Sequence, residues 1–148
     1  MADHAATKAR AVAVLKKLPA FRGLADHEYF DVFEVCRSRF VHSGEILFRE
    51  GDRAGSLFIL LNGAMEILVE GRGLVHVMQA GEVLGEMGLV CDDVRTASAV
   101  ARDSCMLLEL DADRLHALME QKPRIGYVIM GNLAAILAAR LKKENVRI

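Results

Sequence analysis

The sequence predicts an α+β domain that is mainly β, with a β roll between helical ends. Short apolar runs broken by turn residues fill residues 37–110, whereas residues 5–36 and 111–148 carry helical periodicity. Many short strands at close spacing are typical of a sandwich or a jelly roll. The chain has 148 residues, 53% of them hydrophobic, so we expect a single domain over residues 1–148 with a sizeable core.

Two helices are predicted at the N-terminal end. The first covers residues 5–18, because apolar residues recur on one face at helical spacing and Pro19 then breaks the pattern. The second begins near Asp26, an N-cap candidate that is followed by Glu28 in the first turn. Together they make up a helical segment that precedes the β region.

Seven candidate strands follow the helices. They cover residues 38–42, 45–49, 56–61, 64–70, 74–79, 96–101 and 105–110. Asn62-Gly63 is the strongest hairpin signal, because both residues tolerate the positive φ of a type I′ turn. Gly71-Arg72-Gly73 marks a second hairpin.

Two further helices are predicted after the β region. Asp111 is placed to cap the first, and Pro123 separates it from a longer second helix. The apolar stripe of this last helix consists of Ile125, Ile129, Leu133, Ile136 and Leu137, with alanines between them. The stripe is wide enough to pack on the β region and to leave a face for a partner.

The composition argues against several classes of protein. A net charge of −1, from 19 basic and 20 acidic residues, gives no basic face for nucleic acid. No apolar run approaches the roughly 20 residues of a membrane span, and the polar N-terminus does not resemble a signal peptide. Three cysteines without C-x-x-C spacing indicate neither a disulfide framework nor a metal site. We therefore expect a cytoplasmic protein.

One segment carries chemistry that core packing does not explain. Gly85-Glu86-Met87-Gly88-Leu89 places a carboxylate among glycines, and Arg95-Thr96-Ala97 follows after an acidic loop of Cys91, Asp92 and Asp93. Glycines let the backbone approach a ligand and turn its N–H groups toward an anion. A guanidinium pairs bidentately with phosphate oxygens, while a carboxylate suits a hydroxyl donor. Together they describe a site for a ribose phosphate.

These residues resemble the phosphate-binding cassette of the cyclic nucleotide-binding domain family. A second signature of that family lies upstream, where Leu47-Phe48-Arg49-Glu50-Gly51-Asp52 precedes Ser56-Leu57-Phe58-Ile59-Leu60-Leu61-Asn62-Gly63. The resemblance extends from about Leu15 to Arg140. It implies an eight-stranded jelly-roll β barrel, flanked by N-terminal helices and by two C-terminal helices.

The resemblance also implies roles for individual residues. Arg95 and the cassette N–H groups would neutralise a cyclic phosphate, and Glu86 would accept from the ribose 2′-hydroxyl. Thr96 would reach a phosphate oxygen or the purine, and Arg140 on the last helix would cover the purine. Val83 before the cassette would supply an apolar wall. The full set of expected ligand-binding residues is Val83, Gly85, Glu86, Met87, Gly88, Leu89, Arg95, Thr96, Ala97 and Arg140.

Structural alternatives exist for these residues. Arg95 is otherwise a loop arginine paired with Asp92 or Asp93, and Arg140 is otherwise a solvated helix residue. A metal-dependent jelly-roll enzyme would need a histidine cluster, and a haem sensor would need an axial ligand, yet His76 stands without a companion at either spacing. No nucleophile–base spacing is present, so we expect no enzyme.

The sequence thus predicts a cytosolic receptor for a cyclic mononucleotide, cyclic AMP or cyclic GMP, with no other cofactor. Binding would change the posture of the C-terminal helix, which forms the dimer interface in catabolite-activator relatives. The output would be an effector protein or self-association, because we expect a sensor without an attached DNA-binding domain or membrane part. The rival hypothesis is a jelly-roll scaffold for protein interaction with an empty or differently occupied pocket.

Overall fold

The structure is a computed structural model, and it describes residues 4–89 and 94–144, apart from the side chain of Met87. The chain divides into two compact units. A helical unit combines residues up to 34 with residues from 116 onward, and a β unit comprises residues 35–115. The helix–β–helix order predicted from the sequence is confirmed.

The helices begin and end close to the predicted positions. Their bounds are α1 His4–Lys17, α2 Asp26–Glu34, α3 Ala112–Gln121 and α4 Pro123–Lys143, with a short 3₁₀ turn at Pro19–Phe21. Asp111 caps α3 as predicted, because its Oδ1 accepts from the N–H of Asp113 at 2.7 Å. The N-terminus of α2 differs slightly, since the Glu28 side chain bonds the N–H of Ala25, one residue before Asp26.

Within the helical unit, α4 is fastened to the N-terminal segment by apolar and polar contacts. Ile125, Ile129 and Leu133 are buried. The Asn132 amide donates to the carbonyl oxygens of Ala20 and Arg22, at 3.1 and 2.8 Å. These contacts fix the first three turns of the helix.

A buried carboxylate forms a second set of polar contacts in this unit. Glu28 is only 4% exposed, and its Oε1 accepts both from Ala25 N–H at 2.7 Å and from Arg124 Nη1 at 2.6 Å. The Arg124 side chain is 61% exposed. Glu28 therefore has one backbone donor and one cation for its charge, which is what a buried carboxylate requires.

The β unit is a sandwich of two four-stranded antiparallel sheets. The strands are β1 Arg37–Val41, β2 Ile46–Phe48, β3 Ser56–Asn62, β4 Met65–Val69, β5 Gly73–Met78, β6 Val83–Leu84, β7 Ser98–Ala101 and β8 Cys105–Asp111. One sheet has the order β1-β8-β3-β6 and the other β2-β7-β4-β5. The eight-stranded jelly roll is confirmed, as two facing sheets rather than a closed barrel.

A core cluster fills the space between the two sheets. It consists of Val41, Phe58, Leu60, Met65, Ile67, Met78, Ala99, Ala101, Cys105 and Leu107, with Leu47, Phe48, Leu84 and Ala97 packed against it. Both sheets contribute, so the inner faces of the sandwich are apolar, as the alternating pattern of such strands requires.

Two details of the strand prediction were wrong. Asn62-Gly63 does not close a hairpin, because β3 and β4 belong to different sheets and the turn carries the chain from one to the other. Gly63 has a φ of 90°, so the predicted positive φ is confirmed at this residue, although the predicted hairpin is not formed. The two-residue strand β6 was missed because it is too short for a periodic pattern. The Gly71–Gly73 hairpin is confirmed by the β4–β5 pairing.

The last helix is long, apolar and mostly exposed. α4 has 21 residues and a mean hydropathy of 1.3 over its most apolar stretch, of which 17% is buried. By length and composition alone it is sufficient to cross a membrane, which corrects the expectation that no apolar run approaches that length. Such a test is weak evidence, because core helices of soluble proteins also pass it.

Candidate functional site

The glycine-rich half of the motif folds as a tight turn between β6 and a 3₁₀ helix. Gly85 has a φ of 83°, a conformation that favours glycine, and the 3₁₀ helix Glu86–Leu89 begins directly after it. Gly88 N–H donates to the Gly85 carbonyl at 3.0 Å and closes the turn. Glu86 is half-buried at the first position of this helix.

Two glycines of this turn are required by close contacts. A Cβ on Gly88 would overlap the Ala54 carbonyl oxygen, and a Cβ on Gly85 would overlap Arg95 Nη1 and lie 2.9 Å from the Ser56 oxygen. The space beside Gly85 is therefore occupied by the arginine of the second half. The fold brings the two halves of the motif together, although Arg95 lies nine positions after Glu86 in the sequence.

The backbone of Arg95 is held by the upstream signature. Its N–H donates to the Asp52 carbonyl at 2.7 Å, and its carbonyl accepts from Gly51 N–H at 2.8 Å. This pair of bonds fixes the start of the Arg95 side chain. Gly51-Asp52, named above only as part of a family signature, thus holds the backbone of Arg95 in place.

The Arg95 side chain is buried with few polar partners. The residue is 7% exposed, and Nη2 donates to the Ser56 carbonyl at 2.9 Å. Its guanidinium carbon lies 4.3 Å from the ring centre of Phe48 and 5.3 Å from that of Phe58. Within the described residues, the buried Nε–H has no hydrogen-bond partner. The sequence did not indicate this burial of Arg95.

The charge of Arg95 is only partly compensated. Burial lowers the pKa of its guanidinium, and the negative charges of Glu109 and Asp52 oppose that change. No carboxylate in the described part of the chain forms an ion pair with it. A buried cation with an unused donor is the arrangement expected of an anion site before its ligand is bound.

The other predicted residues differ in where the structure places them. Leu89 is 1% exposed and belongs to the interior, whereas Thr96 is exposed beside Arg95. Ala97 packs against the core cluster. Val83 pairs with Ile59 while its neighbour Leu84 packs against the core cluster, so Val83 faces the opposite side of β6 from the site.

The remaining predicted residues lie either in the helical unit or outside what the structure describes. Arg140 lies exposed near the end of α4, in the helical unit, whereas the other nine candidates lie in the β unit. The Met87 side chain and residues Asp92 and Asp93 lie outside what the structure describes. The alternative partners of Arg95 in that acidic loop therefore stay a prediction.

Sequence reasoning missed the aromatic pair beneath Arg95. Phe48 and Phe58 have ring centres 5.9 Å apart, and both face the guanidinium. Both occur in the upstream signature, where they read as ordinary strand residues. Ser56 was missed as well, since its contribution comes from a backbone oxygen that no side-chain pattern reveals.

His76 takes part in a surface pair rather than a metal site. Its Nε2 lies 2.8 Å from Glu82 Oε1, and the second Glu82 oxygen accepts from the N–H of Gln79. The bond from Gln79 and then that from His76 lower the pKa of the Glu82 carboxyl. No group of three metal-binding side chains occurs among the residues that the structure describes.

Comparison with known proteins gives a family for the β unit and the start of the C-terminal helices. The profile of the family described as "Cyclic nucleotide-binding domain" matches residues 38–122. This range includes both halves of the glycine–arginine motif and the upstream signature. It ends one residue before α4.

Individual proteins are similar over most of the chain. It is 30% identical over 138 residues to the cyclic AMP receptor protein of Thermus thermophilus, covering 90% of this chain and 62% of that protein. It is 31% identical over 134 residues to glutaminase 1 of Bradyrhizobium diazoefficiens, covering 90% of this chain and 22% of that protein. The chain thus spans less than two thirds of either protein.

A solved structure shares the fold. The N-terminal domain of a transcriptional regulator from Streptomyces coelicolor matches with a TM-score of 0.80 and 23% identity, covering 91% of this chain and 96% of that one. At this identity the match shows the architecture of helices and jelly roll alone.

Proposed function

This chain belongs to the cyclic nucleotide-binding domain family, and on that premise we propose that it is a receptor for a cyclic mononucleotide, with cyclic AMP the favoured ligand. Arg95 and backbone N–H groups of the turn that begins at Gly85 bind the cyclic phosphate. Glu86 accepts a hydrogen bond from the ribose 2′-hydroxyl. Thr96 and Ala97, which follow Arg95 directly in the sequence, complete the proposed pocket wall.

The observation that carries the proposal is the state of Arg95. The residue is 7% exposed, its Nε–H has no partner in the described structure, and one backbone carbonyl is its recorded hydrogen-bond acceptor. Such burial costs stability, because it removes water from the cation and no counter-ion pairs with it among the described residues. A ligand phosphate would supply that counter-ion, with bidentate geometry.

The preference for cyclic AMP rests on similarity. The Thermus thermophilus relative, 30% identical, is by name a cyclic AMP receptor protein. Thr96 does not distinguish the two purines, since its hydroxyl can donate to either. The rival function, a jelly-roll scaffold for protein interaction, requires no anion site and does not explain why the buried Nε–H of Arg95 has no partner among the described residues.

The output surface that the structure favours is the exposed face of α4. Tyr127, Met130, Leu137 and Leu141 are 83, 36, 38 and 49% exposed. With the exposed Ala134 they follow one another at intervals of three and four residues, which is the a/d spacing of a coiled coil. This stripe is distinct from the buried stripe of Ile125, Ile129 and Leu133. We propose that it receives a helix of an effector protein or of a second copy of the chain.

The remaining parts of the proposal are a regulatory role without catalysis and a cytoplasmic location. The similarity to glutaminase 1 covers 22% of that enzyme, so its activity is not carried over to this chain. A ligand can shift the equilibrium between two positions of α4 only if it binds the protein more tightly in one of them. No DNA or membrane contact is needed for this mechanism.

Isothermal titration calorimetry and thermal unfolding test the proposal. A ligand that binds only the folded protein, at about 100 times its Kd, adds roughly 2.7 kcal/mol to the free energy of unfolding. We expect cyclic AMP to give heat and to raise the melting temperature, and a linear 5′-AMP control to do neither at equal concentration. Protein must first be freed of copurified nucleotide, which analysis of the denatured supernatant reveals. A silent titration with both cyclic AMP and cyclic GMP at millimolar concentration would contradict the receptor function.

A further inference from the structure

A row of side chains lies on the inner face of the β1-β8-β3-β6 sheet, close to Arg95. Glu109 on β8 is directly opposite Phe58 on β3, and Phe58 belongs to the core cluster, so both side chains point inward. Arg39 on β1 is directly opposite Leu107 of the same cluster and points inward as well. Phe58 also contacts Arg95, at 5.3 Å.

Glu109 has both of its carboxylate oxygens engaged within this row. Oε1 accepts from Arg39 Nη1 at 2.9 Å, and Oε2 accepts from the Ser56 hydroxyl at 2.7 Å. Ser56 is the same residue whose carbonyl accepts from Arg95. A single residue therefore separates the Glu109 carboxylate from the buried guanidinium.

The proximity of Glu109 and Arg95 presents a conflict for an anion site. Glu109 is an electrostatic partner of Arg95. The glutamate carboxylate and a ligand phosphate are both suited to the same guanidinium, so an ion pair inside the protein would compete with the ligand. No such ion pair forms among the described residues, because Arg39 and Ser56 hold the carboxylate.

We propose that Arg39 is a positioning residue of the anion site, which keeps Glu109 from pairing with Arg95 and so leaves the guanidinium for the ligand phosphate. This inference rests on the proposed function, since a phosphate ligand is what makes the free guanidinium useful. Arg39 itself is 43% exposed in its side chain and acts through Glu109, without contact to the ligand. Loss of Arg39 releases Oε1, and Arg95, whose Nε–H is unused in the described structure, already interacts electrostatically with Glu109.

The decisive variants are Arg39→Met and the double variant Arg39→Met with Glu109→Gln. Methionine retains an apolar stem near Phe58, which the Arg39 guanidinium approaches at 5.9 Å, and removes the charge. We expect the affinity for cyclic AMP, measured by calorimetry, to fall roughly three- to tenfold in Arg39→Met. The double variant has no competing carboxylate, so its affinity should return to within about twofold of wild type.

The chain offers a matched control on the other sheet. Arg102 donates to Glu66 from Nε at 3.1 Å and from Nη2 at 3.0 Å, and its side chain is 49% exposed. Arg102→Met removes a similar arginine–glutamate pair, and we expect unchanged affinity. Unchanged affinity in Arg39→Met would overturn the inference. A loss that Glu109→Gln does not reverse would also overturn it, since Arg39 would then be merely structural.

A ligand-free measurement separates this inference from the proposed function. If Glu109 pairs with Arg95 once Arg39 is gone, Arg95→Met should lower the melting temperature more in the Arg39→Met background than in wild type. Equal shifts in both backgrounds would overturn the inference even where cyclic AMP binds. Wild-type protein that binds no cyclic nucleotide would contradict the proposed function, while the two melting-temperature shifts would still decide the role of Arg39.

Discussion

Glu28 in the helical unit and Arg95 in the β unit are both charged and buried, at 4 and 7% exposure. Glu28 accepts from a backbone N–H and from Arg124, at 2.7 and 2.6 Å. Arg95 has one carbonyl acceptor, two aromatic rings and an Nε–H without a partner in the described structure. Among the described residues, the carboxylate is compensated by direct partners, whereas the guanidinium is compensated only in part.

This difference separates a structural charge from a functional one. Replacing a compensated buried charge costs stability, because its partners lose their bonds. Replacing a poorly compensated buried charge costs little stability. If an external ligand normally compensates that charge, the replacement weakens the binding of that ligand. We therefore expect replacement of Glu28 to lower stability, and replacement of Arg95 to lower ligand affinity.

The largest expected effect is on ligand binding in Arg95→Met. Removing the charge partner of a partly desolvated phosphate should cost on the order of 2–5 kcal/mol of binding free energy, measured by calorimetry with cyclic AMP. The free energy of unfolding without ligand should stay within about 1 kcal/mol of wild type, because a poorly compensated cation is lost. A strongly destabilised variant would show that Arg95 is as structural as Glu28.

Glu86→Ala tests the second proposed anchor. Loss of a charged hydrogen bond to the ribose hydroxyl should cost roughly 1.5–3 kcal/mol of binding free energy. The control is chemical: 2′-deoxy cyclic AMP lacks the hydroxyl, so wild type and Glu86→Ala should bind it equally. A large difference between the two proteins for the deoxy ligand would assign Glu86 a different partner.

Glu28→Ala should show the reverse behaviour. The Ala25 N–H and Arg124 lose their acceptor, and we expect a loss of about 1–2 kcal/mol in the free energy of unfolding, measured in urea. Glu34→Ala on the same helix is the control: its side chain is 59% exposed and lies 3.6 Å from Lys8. That exposed pair should contribute less than about 0.5 kcal/mol. Equal losses of unfolding free energy in both variants would show that the buried Glu28 contributes no more than an exposed glutamate.

The smallest expected effect concerns Arg140, the candidate that lies in the helical unit. If its guanidinium stacks on the purine, a chain ending after Ala139 should bind cyclic AMP about tenfold more weakly, or about 1.4 kcal/mol. Arg140→Ala in the full chain should reproduce most of this loss. Unchanged affinity in both would leave the ligand site entirely within the β unit.

Much of the fold could be predicted because its elements carry local signals. Pro123 and Asp111 mark helix boundaries through backbone chemistry that acts within a few residues. The turn at Asn62-Gly63 shows the limit of such signals. A positive φ at Gly63 reverses the chain, but whether the next strand pairs with β3 or joins the other sheet depends on the packing of the whole sandwich.

The two proposed polar anchors, Glu86 and Arg95, were named from the sequence and stay a prediction, whereas the residues that surround and hold Arg95 were not predicted. The spacing from Glu86 to Arg95 indicated an anchor for a phosphate and an acceptor for a hydroxyl. The burial of Arg95, its contact with Phe48 and Phe58, and the Ser56 carbonyl depend on residues 37 to 47 positions away in the sequence. No local pattern contains that information.

The close approach of Gly88 to the Ala54 carbonyl has a consequence for genetic screens. Any side chain at this position displaces backbone on one side or the other, so even Gly88→Ala should abolish the shape of the turn. In a saturation screen for ligand response, substitutions at Gly88 should therefore be as harmful as substitutions at Arg95. The causes differ, because Gly88 must lack a side chain for the turn to form, whereas the Arg95 side chain is proposed to contact the ligand. Sensitivity at the two positions would become distinguishable only when each variant is also scored for folding.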